Sequence, residues 1–140
     1  MVNRSLVLKK VAHVRHGLSR VREKSRISLK ALENDLDTQD IILHNLQLTI
    51  QGCIDIGAHI IADEGWGVAG SINETFYTLN DKGVLSLDLR EKMVSMVGFR
   101  NILVHKYEEM SLEIVHNITQ KHLSDIDEFL LTVIRHFNMG

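Results

Sequence analysis

The spacing of the apolar residues, together with the complete absence of proline, narrows the fold of this 140-residue chain more than any other feature. Apolar side chains recur every three or four positions, which is the period of a helix that buries one face. In the first segment these positions are Val7, Val11, Val14, Leu18 and Val21. Because no proline interrupts this pattern, we predict an all-α fold.

Local signals predict where the next helices begin and end. Ser28 is expected to cap a short helix that runs through Leu32. The polar residues that follow indicate a turn, and Thr38 is expected to cap a long second helix, which should end near Asp63.

The long helix contains two glycines and the single cysteine of the chain. Gly52 and Gly57 each cost about 1 kcal/mol relative to alanine in a helix, so we expect a neighbouring helix to approach closely there. Cys53 falls on the apolar stripe, which predicts a buried and unreactive thiol. A lone cysteine also excludes an intramolecular disulfide framework and is typical of a reducing cytosol.

Three further helices are predicted in the second half of the chain. A short one spans about 74–80, and Ser86 and Ser111 are expected to cap two longer ones. The last helix should carry His122 on its apolar seam, as a hydrogen-bonded core residue, and continue to Phe137. Four principal helices with short connections predict an up-and-down four-helix bundle with an additional short helix, forming one domain over residues 1–140.

Basic residues are concentrated at the beginning of the sequence. Residues 1–30 hold nine of the 16 Lys and Arg against one acid, a charge of +8, whereas the rest of the chain sums to -10. Arg4, Arg15, Arg22 and Arg26 lie 11, 7 and 4 residues apart, which places them on one helix face. Two interpretations remain open, a solvated flank or a stripe that contacts an RNA backbone through Arg15, Arg22 and Arg26.

The segment 99–107 brings together the residue types that RNA cleavage needs. Arg100, Asn101, His105 and Tyr107 lie within eight positions and are interleaved with aliphatic anchors. An arginine grips phosphate through two N–H groups, and histidine moves protons near neutral pH. We therefore consider a metal-free cleavage in which His105 transfers a proton and Arg100 neutralises charge on the phosphate.

Helix geometry limits how Arg100 and His105 act together. Five positions separate them by about 140° around an ideal helix and by about 7.5 Å along it. Either the helix breaks near His105, or the arginine side chain curls round, or a second subunit completes the site. A two-fold dimer would supply two histidines to one cleft, so this chemistry also predicts a homodimer.

The string Arg100-Asn101-x-x-x-His105-x-Tyr107 resembles the R-x4-H-x-Y signature of HEPN-domain proteins, specifically the HepT-type toxins encoded beside minimal nucleotidyltransferase (MNT) antitoxins. The resemblance covers most of the chain, from the helix containing Leu46 to the last helix. It implies a homodimeric, metal-independent endoribonuclease with Arg100 and His105 catalytic and Asn101 in support. It also implies that the antitoxin inactivates the toxin by transferring AMP from ATP to Tyr107.

Other ligand sites receive less support from the sequence. Asp55, His59 and Asp63 fall at helical spacing and could line one face, but no cysteine cluster or H-E-x-x-H motif accompanies them, so we predict no metal site. Glycines 65, 67 and 70 have the G-x-G-x-x-G spacing of a dinucleotide-binding motif. That motif follows a β-strand, and no strand is predicted before these glycines. We expect no bound cofactor.

One alternative function remains open, a non-catalytic helical module that binds a nucleotidyltransferase or presents a substrate to it. Residues 1–10 lack the apolar core of a secretory signal, and polar side chains interrupt the most apolar stretch, 41–62. We therefore expect a cytoplasmic protein without a membrane segment, whose partners are RNA and the antitoxin.

Overall fold

The computed structural model describes residues 1–68, 70–105, 108 and 110–139, and in this part of the chain the regular structure is α-helical, without strands. The seven helices are α1 (Arg4–Lys24), α2 (Leu29–Glu33), α3 (Leu36–Asp63), α4 (Ile72–Asp81), α5 (Leu87–His105), α6 (Leu112–Lys121) and α7 (Leu123–His136). The predicted all-α class is thus confirmed. None of the described helices combines the length and the apolarity needed to span a membrane.

Helices α1, α3, α5 and α7 form the predicted bundle. Helix α1 packs along α3, which also contacts α4, α5 and α7. Helix α7 lies between α1 and α5, since its Asp127 pairs with Arg22 of α1 and its Glu128 lies 3.3 Å from the ammonium of Lys92 on α5. The short helix α4 adds Phe76 to the core, where its ring meets Phe129 edge to face at 5.7 Å.

The start of the second long helix differs from the prediction. The Ser28 hydroxyl accepts the N–H of Ala31, as expected for the cap of α2. Helix α3 begins at Leu36, however, because Asp35 and not Thr38 is its N-cap. The Asp35 carboxylate accepts the backbone N–H of Thr38 at 3.1 Å and its hydroxyl at 2.8 Å. These hydrogen bonds, the backbone one first, hold the pKa of Asp35 below its usual value.

The predicted last helix is two helices. The backbone at His122 leaves the helical conformation with φ -120°, so α6 ends there and α7 begins at Leu123. The prediction of His122 as a core histidine is wrong, because its side chain is 48% exposed and its Nδ1 lies 3.5 Å from the Asp125 carboxylate. Apolar residues continue on both sides of the junction, so the periodicity alone does not reveal the change of direction.

The glycines of α3 mark close contacts between helices, as predicted. A Cβ at Gly52 would collide with the side chain of Val14 on α1, and one at Gly57 would lie 2.5 Å from Thr75 Cγ2 on α4. Cys53 between them is buried, also as predicted, and burial raises the pKa of its thiol.

We expect Gly52→Leu to lower the free energy of unfolding by about 1 to 3 kcal/mol, because a leucine there overpacks the contact between α1 and α3. Val14 has little freedom to yield, since a β-branched side chain in a helix keeps one rotamer. Urea unfolding measures the change. The matched control is Ala58→Leu, which adds the same side chain at an exposed position of the same helix. Equal stability losses in the two variants would contradict this prediction.

Candidate functional site

A surface cleft lies beside the C-terminal half of α5. Its volume is about 520 Å³, and its lining residues are Ser71, Ile72, Asn73, Val97, Arg100, Asn101, Ile102 and His105. Helix α5 remains helical through both Arg100 and His105 and ends at His105. The two residues therefore line one cleft although about 140° separates them around an ideal helix.

The Arg100 guanidinium forms few hydrogen bonds with the rest of the protein. Its Nη1 donates to Asn101 Oδ1 at 3.2 Å, which is the one hydrogen bond that the described residues form with this guanidinium. Its Nε is buried and has no hydrogen-bond partner among those residues. The terminal Nη2 forms no hydrogen bond with the described residues, so the end of this guanidinium at the cleft has N–H groups that can bind an anion.

The structure describes His105 but not Tyr107. His105 is the last residue of α5, and its side chain is exposed to solvent at the cleft. Tyr107, the predicted acceptor of AMP, lies outside the described residues. The side chain of Asn101, predicted as a supporting polar residue, accepts the Arg100 N–H and so helps to orient the guanidinium.

The opposite wall of the cleft comes from α4 and was not predicted as part of the site. Helix α4 begins at Ile72, two residues before the predicted start. The Ser71 hydroxyl accepts the N–H of Glu74, and the Glu74 carboxylate accepts the N–H of Gly70 at 2.6 Å. The spacing Ser-x-x-Glu is a capping-box signature that the sequence already contains, and it could have revealed this helix start.

The arginines predicted to contact RNA gather at another place. Arg15, Arg22 and Arg26 line a groove of about 490 Å³ between α1 and α7. Arg22 pairs with Asp127 in this groove. The fourth arginine of the predicted stripe, Arg4, donates instead to the Met139 carbonyl at 3.3 Å. The groove shares no lining residue with the cleft, so the structure does not bring the two sets of residues together.

The acidic and histidine residues considered for metal binding have protein partners. Asp55 accepts the side-chain N–H of Gln51 at 2.9 Å. The Asp63 carboxylate lies 3.0 Å from His59 Nε2 and accepts the N–H of Asn3 at 2.8 Å. Within the described ranges no three His, Cys, Asp or Glu side chains gather as a metal-binding group.

Residues 14–133 match the family model described as ribonuclease HepT-like. This chain belongs to the HepT-like family. The match confirms the family resemblance seen in the R-x4-H-x-Y string. Among curated relatives, the mRNA nuclease HepT of Shewanella oneidensis is 30% identical over 125 residues, which is 89% of this chain and 93% of the relative. The tRNA nuclease HepT of Aphanizomenon flos-aquae is 30% identical over 66% of this chain and 63% of its own.

Solved structures share this fold. A tri-AMPylated Shewanella oneidensis HEPN toxin in complex with its MNT antitoxin superposes with a TM-score of 0.86 at 29% identity, covering 96% of this chain and 99% of the toxin. A toxin–antitoxin complex with AMP-PNP superposes with a TM-score of 0.84 at 28% identity, covering 95% of this chain and 99% of the other. These similarities confirm the HEPN-like bundle.

Proposed function

We propose that this protein is the toxin of a HEPN/MNT toxin–antitoxin pair and a metal-independent endoribonuclease. The observation that carries the proposal is the shared cleft, which is lined by both the exposed His105 imidazole and the Arg100 guanidinium. The nuclease names of two relatives support the same class of reaction.

The reaction requires two proton transfers, one from the attacking 2′-hydroxyl and one to the leaving 5′-oxygen. His105 removes the proton of a ribose 2′-hydroxyl, and the 2′-oxygen attacks the adjacent phosphorus. The bond from phosphorus to the 5′-oxygen breaks, and that oxygen takes up a proton, which leaves a 2′,3′-cyclic phosphate and a 5′-hydroxyl. Arg100 holds the phosphate oxygens through its N–H groups and stabilises the negative charge that they gain in the transition state.

A homodimer would supply the second proton-transfer group. One imidazole acts as base and another as acid when two copies of the cleft face each other across a two-fold axis. The outer surface of α5 suits such a contact, because Ile102 is 37% exposed and a Cβ at Gly98 would meet nothing within 4 Å. An exposed apolar residue beside a small one permits a second helix to approach closely.

Control by the antitoxin acts on Tyr107 in this proposal. The phenol oxygen attacks the α-phosphorus of ATP in the active site of the nucleotidyltransferase, and pyrophosphate leaves. Tyr107 follows His105 by two positions, so an attached AMP would add bulk and negative charge beside the cleft. The AMPylated state of the Shewanella oneidensis toxin supports this route.

The groove between α1 and α7 is proposed to contact the RNA backbone away from the cleavage point. Arg15, Arg22 and Arg26 line it, and the surrounding segment 1–30 carries a charge of +8. Clustered arginines neutralise phosphates and release counterions, which provides affinity without sequence preference.

The purified wild-type protein is expected to cleave single-stranded RNA in EDTA and to migrate as a dimer of its 15.9 kDa chain. Histidine and arginine supply proton transfer and charge stabilisation here, so removing divalent cations should leave the rate unchanged. Gel analysis of end-labelled RNA gives the rate, and mass spectrometry of the fragments identifies cyclic phosphate ends. Cleavage that EDTA abolishes and added divalent metal restores would contradict the metal-independent mechanism.

A further inference from the structure

The arginine groove is defined by Arg15, Leu18, Ser19, Arg22, Glu23, Arg26 and Asp127. It contains two acidic side chains, of which Glu23 pairs with Arg20 outside the groove and Asp127 pairs with an arginine inside it. Asp127 reaches across from α7 and accepts hydrogen bonds from both terminal nitrogens of Arg22, the one from Nη1 measuring 3.4 Å. A planar guanidinium binds one oxygen of a phosphate with each nitrogen in the same way. The Asp127 carboxylate therefore occupies the position on Arg22 that a backbone phosphate would take.

The other two arginines of the groove are not occupied in this way. Arg15 and Arg26 are exposed, and neither forms an ion pair with a carboxylate in the part of the chain that the structure describes. A polyanion entering the groove thus meets two available guanidinium groups and one that is already paired.

Exposure makes the Arg22–Asp127 pair open to competition. The two side chains are 43% and 38% exposed, and ion pairs on a protein surface contribute little net stability because water screens them. A phosphate that is held nearby by Arg15 and Arg26 has a high local concentration around Arg22 and competes with Asp127 for it.

We infer that Asp127 acts as an internal competitor of the RNA backbone in the arginine groove and limits how tightly the groove holds RNA. This inference rests on the proposed function, because RNA is taken as the polyanion. An RNA phosphate that displaces the carboxylate leaves Asp127 without its partner and close to the phosphate, so each binding event loses the ion pair and adds a like-charge repulsion.

Asp127→Asn is expected to tighten RNA binding about three- to fivefold. In this variant RNA no longer has to break the exposed Arg22–Asp127 ion pair, and the free energy of such a pair corresponds to a factor of this order. The slope of log affinity against log salt concentration should steepen by about 0.7, because Arg22 then releases one more counterion from single-stranded RNA. The double variant Arg15→Gln with Arg26→Gln should weaken binding and flatten the slope by about 1.4.

The experiment uses a fluorescent 20-nucleotide 2′-O-methyl RNA, which has no free 2′-hydroxyl to attack the phosphate. Binding is thereby measured by anisotropy on the full-length protein without any cleavage, at several salt concentrations. The matched control is Glu128→Gln, which removes the same charge one residue further along α7, where the partner is Lys92 of α5, a residue that also pairs with Asp88. We expect this control to change affinity by less than half as much as Asp127→Asn, on a logarithmic scale.

Three outcomes would overturn the inference. Unchanged or weaker RNA binding by Asp127→Asn, with a lower urea midpoint, would make Asp127 a structural partner of Arg22 only. Equal tightening in Asp127→Asn and Glu128→Gln would reflect net charge alone. Unchanged RNA binding by the arginine double variant would show that RNA does not bind in the groove. Failure of the proposed nuclease would appear separately, as a wild-type protein that binds the modified RNA but never cleaves unmodified RNA.

Discussion

The His105→Ala variant is expected to cleave RNA in EDTA about 10²- to 10⁴-fold more slowly than the wild-type protein, which is the usual contribution of a positioned acid or base. His105 ends α5 and is exposed at the cleft beside Arg100, so its imidazole is accessible to a bound ribose. Alanine removes the proton-transfer group, and it favours the helical conformation of the last turn. End-labelled RNA under single-turnover conditions gives the rate of the chemical step.

The matched control for this experiment is His13→Ala, an exposed histidine on α1 that lies outside the cleft. Both variants are purified identically, and their helicity and native mass are compared with the wild type, because a contaminating nuclease is the main source of false activity. Equal cleavage rates for His105→Ala and the wild type would show that His105 does not take part in the reaction. A wild type without any cleavage would instead favour the non-catalytic module that binds a nucleotidyltransferase.

Tyr107→Phe is expected to abolish AMP incorporation when the protein is incubated with its paired nucleotidyltransferase and ATP. The substitution removes the phenol oxygen that is proposed to attack the α-phosphorus of ATP, and it keeps the aromatic ring. RNA cleavage by the variant should persist in the presence of the antitoxin and ATP, conditions under which we expect the wild-type protein to become inactive. Intact-protein mass spectrometry measures incorporation, and the RNA cleavage assay measures the remaining activity.

Tyr77→Phe is the control for this prediction, because Tyr77 is the other of the two tyrosines in the chain. Its ring lies 4.7 Å from the Arg90 guanidinium on the side of α4 that faces α5. Incorporation into Tyr77→Phe should match the wild type. AMP found on the Tyr107→Phe variant would assign the modification to a different residue, and loss of incorporation in both variants would point to damaged recognition by the antitoxin.

Local sequence signals predicted most of the helices. The predicted helix boundaries were wrong where two residues could both cap a helix, or where the sequence contains no signal for a helix end. Both Asp35 and Thr38 are good N-caps, and the structure selects Asp35 because its carboxylate accepts two hydrogen bonds from Thr38. At His122 the apolar pattern continues from α6 into α7, so nothing in the period marks the turn. The Ser71 capping box was present in the sequence and shows where α4 begins.

The sequence by itself determined the helical class, the single apolar core, the close contacts at Gly52 and Gly57, and the family carried by the R-x4-H-x-Y string. These properties follow from the order of residues along one helix or one motif. Tertiary structure alone decided which side chains meet, because that depends on the packing of helices distant in sequence. Packing places the first turn of α4 opposite Arg100 and directs Asp127 of α7 onto Arg22 of α1.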